Sequence, residues 1–152
     1  GLSSQVDVPA RVADTTDAAA PVTGPLFESH SPMRVLLIDD ESTIREVIST
    51  ALSLIAGHEV LACASALEGC AKAPAFQPEL LMIDLMMPEI DGIDALDAVR
   101  ALPGLEHVPV VFISATVDPR LLERARRKRP LAMLEKPLDV RTIGVTIERL
   151  CK

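Results

Sequence analysis

From residue 33 onward the apolar positions fall into two alternating patterns. Arg34-Val-Leu-Leu-Ile38 is a short aliphatic run without polar alternation, as expected of a strand covered on both faces. It ends in Asp39-Asp40. Beyond it, Ile44, Val47, Ile48, Ala51, Leu52 and Ile55 recur at spacings of three and four, which predicts an amphipathic helix with Thr43 and Glu46 as its capping box. The two patterns then repeat as strand 59–63, a helix from Ser65 with Glu68 three residues on, strand 80–83, helix 92–102, strand 109–113, helix 119–129, strand 131–134 and helix 139–151. Five β/α units with short connections predict an α/β domain over residues 33–152, built on one parallel sheet with helices on both faces.

Residues 1–32 break this texture. Pro9, Pro21, Pro25, Pro32, an alanine run at 18–20 and scattered Ser, Thr and Asp leave too few large apolar side chains to bury a core, so the stretch reads as a disordered segment or linker. A length of 152 residues fits one domain plus such a tail. With three Phe and no Tyr or Trp, the core must be aliphatic. The net charge of −7 gives no overall field toward nucleic acid or anionic lipid, so neither is expected as a direct partner. Cys63, Cys70 and Cys151 form no CxxC pair and read as buried fillers. No apolar run reaches the roughly 18 residues of a membrane span, and no export signal opens the chain; a reducing cytoplasm is the expected location.

In an open parallel sheet, functional groups collect at the carboxyl ends of the strands. Here strand one ends in Asp39-Asp40, strand three in Asp84, strand four in Ser114-Ala115 and strand five in Lys136-Pro137. Three carboxylates, a hydroxyl and an ammonium thus converge on one edge. Crowded carboxylates repel unless a cation neutralises them, and oxygen-only ligands favour Mg²⁺ over zinc or copper. Taken alone, Asp39-Asp40 also reads as an acid cluster favoured by a helix N-terminus.

Together with Asp84-Leu-Met-Met-Pro88-Glu-Ile-Asp91-Gly92, these strand ends resemble the receiver domains of two-component response regulators. The resemblance implies a flavodoxin-like (βα)5 fold with strand order 2-1-3-4-5, the order that flavodoxin shares with chemotaxis receivers. It further implies that Asp84 is the phosphoacceptor, taking a phosphoryl group from the phosphohistidine of a histidine kinase or phosphotransfer protein. Mg²⁺ would be held by Asp40, Asp84 and the Met86 backbone carbonyl, with Asp39 acting through water. Lys136, the Ser114 hydroxyl and the Ala115 N–H would contact the phosphate. Pro88 and Gly92 would shape the loop, and Pro137 would follow a cis bond that aims Lys136.

The same resemblance assigns output to the face of the fourth helix, fifth strand and fifth helix, where a downstream protein would dock and a homodimer has room to form. The run Arg124, Arg126, Arg127, Lys128 and Arg129 lies there; it reads either as a helix end complementing its dipole or as a docking patch. Two departures stand out. The switch position shared with Ser114, usually aromatic, is Met133, which removes an aromatic rearrangement but not rotamer change. The chain also stops after the fifth helix, which reads as a lone receiver or a piece of a longer protein. A signalling domain, not a turnover enzyme, is expected. A haloacid-dehalogenase-like phosphatase would need an acid at Met86, and a flavodoxin-like cofactor module would need a phosphate loop where Asp40-Glu41 stands; a non-phosphorylated pseudo-receiver that only binds partners is the standing alternative, although every expected catalytic side chain is present.

Overall fold

Val35 through Ile38 and Leu80 through Ile83 are fully buried, which is why neither run alternates. The computed structural model describes residues 32–151, so the tail expected over 1–32 lies, apart from Pro32, outside the described residues. Strands β1 (Arg34–Ile38), β2 (Glu59–Cys63), β3 (Leu80–Asp84), β4 (Val110–Ser114) and β5 (Ala132–Glu135) pair in parallel in the order β2-β1-β3-β4-β5. Helices α1 (Ser42–Thr50), α2 (Ala66–Phe76), α3 (Gly92–Arg100), α4 (Pro119–Arg127) and α5 (Ile143–Leu150) connect and follow them.

Because side chains alternate along a strand, each strand feeds two cores. Val35, Leu37, Met82, Val111 and Ile113 pack with Ile48 of α1 and with Ile143 and Ile147 of α5. Leu36, Ile38, Leu81, Ile83 and Phe112 pack on the other face with Ala73 of α2, Leu96 and Val99 of α3 and Ala125 of α4. No helix among the described residues is long and apolar enough to cross a membrane. Of the three cysteines expected as buried fillers, Cys63 is buried, whereas Cys70 and Cys151 are half-buried.

Local departures from the sequence reading have local causes. The Thr43/Glu46 capping box does not form, because α1 starts two residues earlier, with Glu41 at the cap position: the Asp39 carboxylate accepts the Glu41 N–H at 2.9 Å, and the Glu41 carbonyl accepts the Arg45 N–H at 3.0 Å. The end of this helix loosens into a π-helical stretch over Ala51–Ile55. At α2, Ser65 Oγ does cap the Glu68 N–H at 3.1 Å, while the Glu68 carboxylate reaches back to the Ala64 N–H at 2.8 Å. Helix α5 begins at Ile143 instead of 139, since Asp139 first closes a turn by accepting the Arg141 N–H on its side chain and the Thr142 N–H on its carbonyl.

Much of the basic run is used within the fold. Arg124 Nη1 meets Asp91 Oδ2 at 3.0 Å and Lys128 Nζ meets Asp97 Oδ1 at 2.7 Å, so α4 is strapped to α3. Asp91 also caps α3, accepting the Asp94 N–H at 2.9 Å.

The turn between β3 and α3 closes tightly. The Gly92 N–H donates to the Leu85 carbonyl at 2.9 Å, and a Cβ on Gly92 would lie 2.5 Å from the Asp84 carbonyl oxygen and 2.9 Å from Leu85 Cα. Main chain cannot yield as a flexible side chain would, so Gly92→Ala is expected to destabilise the domain by about 1–3 kcal/mol. Urea unfolding checks this; an unchanged midpoint would mean that the turn relaxes at no cost.

Candidate functional site

Each strand end is held in place by main-chain bonds that extend the sheet ladder. The Asp39 N–H donates to the Cys63 carbonyl at 3.1 Å, the Leu85 N–H to Ile113 at 2.9 Å, and the Lys136 N–H to Ser114 at 2.9 Å. Asp39, Asp84 and Ser114 are buried. Lys136 Nζ points among the acids, 2.8 Å from Glu41 Oε1, 3.2 Å from Asp39 Oδ2 and 3.3 Å from Asp84 Oδ2. The Lys136-Pro137 peptide is cis.

Polar main chain completes the surroundings. Asp84 Oδ1 accepts the Met86 N–H at 3.2 Å, and the Arg45 guanidinium donates to the Asp39 carbonyl at 2.7 Å. Ser114 Oγ accepts the Thr116 N–H, and Thr116 Oγ1 in turn accepts the Asp118 N–H, both at 3.0 Å.

Burial, and secondly the negative charge of Asp39, push the Asp84 carboxyl up to about 6, although the Met86 N–H and Lys136 pull the other way. For Lys136, burial lowers the ammonium, but the Glu41 hydrogen bond and the charges of Asp84 and Asp39 together outweigh it and carry it above its ordinary value. The lysine is therefore a permanent cation. Asp84 is an anion above neutrality, as a carboxylate nucleophile must be.

The structure brings together Asp39, Asp84, Ser114 and Lys136 as the strand ends imply. Asp40, by contrast, is exposed and lies outside the acidic group, whose members are Asp39, Glu41 and Asp84, with carboxylate oxygens within 4.8 Å of one another. Glu41 is missed by the sequence reading, and its only signal there is the unbroken acid triplet Asp39-Asp40-Glu41. The Met86 side chain is 55% exposed at the mouth, Ala115 and Pro88 are exposed, and Met133 is half-buried against the α2/α3/α4 core. Asp39 Oδ2 is buried and meets the Lys136 charge without a well-aligned hydrogen bond. A buried carboxylate oxygen of this kind, in an oxygen-only donor set, fits a hard divalent cation.

The raised Asp84 carboxyl has a consequence for stability in metal-free solution. Its protonated form favours the fold; that contribution is complete below the unfolded value near 4 and is lost as pH rises through about 6. Asp84→Asn, neutral throughout, should therefore exceed the parent at pH 7.5 by about 1–2 kcal/mol after allowance for solvent screening. The gain should vanish toward pH 4. Calorimetry in EDTA from pH 4 to 8 checks this, and a pH-independent difference would contradict it.

Comparison with known proteins identifies the family and the fold. The sequence pattern of the response regulator receiver domain matches residues 35–148. A probable chemotaxis protein CheY of Rhizobium etli is 31% identical over 117 residues, covering 76% of this chain and 90% of that protein. The DNA-binding dual master transcriptional regulator RpaA of Synechocystis is 34% identical over 82 residues, covering 54% of this chain and only 34% of RpaA, so the match spans about a third of that regulator. Among solved structures, the chemotaxis protein CheY4 of Vibrio cholerae superposes with a TM-score of 0.71 at 27% identity, over 79% of this chain and 99% of that one. The chain belongs to the response regulator receiver domain family.

Proposed function

We propose that this domain is a phosphoacceptor of a two-component phosphorelay, with Asp84 as the residue phosphorylated. The observation that carries the reading is the Lys136 ammonium lying within 3.3 Å of two buried carboxylates at the carboxyl edge of the sheet. An Asp84 oxygen attacks phosphorus; the P–N bond of a donor phosphohistidine breaks, its electron pair returning to the imidazole nitrogen, and an acyl phosphate is left on the aspartate. Lys136 offers a positive charge to the phosphoryl oxygens. Ser114, aimed by the Thr116 N–H, donates its hydroxyl to the same group, and the Ala115 N–H assists. Asp39 and Asp84, with Asp40 and the Met86 carbonyl as the family resemblance implies, would hold Mg²⁺. When bound, that ion neutralises charge between nucleophile and donor.

The donor is a histidine kinase or a phosphotransfer protein. Output runs from Ser114 and Met133 to the surface of α4, β5 and α5, where a downstream protein docks.

Two measurements test the reading. With acetyl phosphate and Mg²⁺ the protein should gain one phosphoryl mass, Asp84→Asn should not, and Lys136→Ala should remain folded by circular dichroism but label more slowly or lose its phosphorylation-dependent amide shifts. Labelling of Asp84→Asn at the parental rate would sink the assignment. The second measurement concerns lifetime. The Met86 side chain is apolar and exposed, and Thr116 offers only a neutral hydroxyl, so neither position supplies the carboxylate or amide that orients a hydrolytic water. The acyl phosphate should persist, and Met86→Asn/Thr116→Glu should lose it severalfold faster; equal decay would show that these positions do not set the lifetime.

A further inference from the structure

A lysine ammonium has three N–H donors and no acceptor. Two of them go to Glu41 at 2.8 Å and Asp84 at 3.3 Å, while Asp39 lies 3.2 Å away as an ion pair without a well-aligned hydrogen bond, so the shortest contact is to Glu41. The phosphoryl group converts Asp84 itself into an acyl phosphate, so the carboxylates that still compete with its oxygens for the ammonium are Glu41 and Asp39. Burial decides which one yields. The Asp39 side chain is 0% exposed, so stripping it of its cation strands a buried charge, whereas the Glu41 side chain is 58% exposed and rehydrates on release.

The backbone of Glu41 is fixed for this task. Its N–H is held by Asp39 Oδ1 and its carbonyl by the Arg45 N–H, so only the side chain is left to move. From this we infer that Glu41 is a positioning residue: a tethered stand-in for the phosphoryl group that holds Lys136 in the site before reaction and yields it to the phosphoryl group afterwards. The inference rests on the phosphoacceptor reading above. It makes the Glu41–Lys136 pair a barrier to phosphorylation, and an exposed ion pair of this kind is worth about a two- to fivefold change in rate.

The test compares the parent, Glu41→Gln and Glu41→Asp, labelled with acetyl phosphate at saturating Mg²⁺, with Mg²⁺ affinity measured separately by amide NMR. Aspartate keeps the charge but is one methylene too short to reach Lys136. Both variants should label about two- to fivefold faster than the parent with unchanged Mg²⁺ affinity, and in metal-free protein both should shift the Lys136 side-chain NMR signals. Three results overturn the inference: Glu41→Asp behaving as the parent while Glu41→Gln accelerates, which would reduce Glu41 to a bulk charge at the mouth; weakened Mg²⁺ binding in Glu41→Gln, which would make it a metal ligand; or unmoved Lys136 signals. Failure of the underlying reading looks different, since the parent itself would then take no phosphoryl group, or Asp84→Asn would still take one.

Discussion

Lys136 lies 3.2 Å from Asp39 and 3.3 Å from Asp84, two carboxylates that the sheet withdraws from water. A pair of buried anions without a cation is costly, and taking the compensating cation out of a buried arrangement typically destabilises by about 3–5 kcal/mol. The remaining features of the site follow from keeping that compensation in place. Main-chain bonds from Ser114 fix the backbone of the lysine, the Met86 N–H holds the free oxygen of Asp84, and the Arg45 guanidinium and Glu41 N–H hold the Asp39 loop. Asp84 is left poised between charged and neutral near pH 6 because its burial, and after it the charge of Asp39, outweigh the Met86 N–H and Lys136.

Sheet topology explains the choice of side chains. Neighbouring strands are about 4.8 Å apart, so with β4 between them the end of β5 lies about 10 Å from the end of β3. Only a long, flexible cation closes that distance. The residue it must pass at the end of β4 is Ser114, small enough to leave the way open and polar enough to serve the same site. Lysine at the edge, serine beside it and aspartate at the centre are thus answers to one spacing.

Most of this arrangement is legible in the sequence because strands covered on both faces announce themselves as unbroken aliphatic runs, and whatever follows such a run must stand at the carboxyl edge. Asp39, Asp84, Ser114 and Lys136 emerge from that rule alone. Strand order does not, since nothing in periodicity says which strands are neighbours; it comes from family resemblance. The capping box at Thr43 and the start of α5 are misplaced because aspartates at 39 and 139 spend their carboxylate or carbonyl oxygens on turns before the helices begin. Glu41 escapes notice for a deeper reason: its partner is 95 residues away, and locally it is one more acid at a helix start.

The same carboxylate of Asp91 that caps α3 also grips Arg124 of α4, one oxygen for each duty. Losing the side chain at this position would cost both duties at once, whereas Asp91→Asn would keep the cap, asparagine being as good a helix cap, and surrender only the charge, leaving α4 to Asp94 beside Arg124 and to the pair between Lys128 and Asp97.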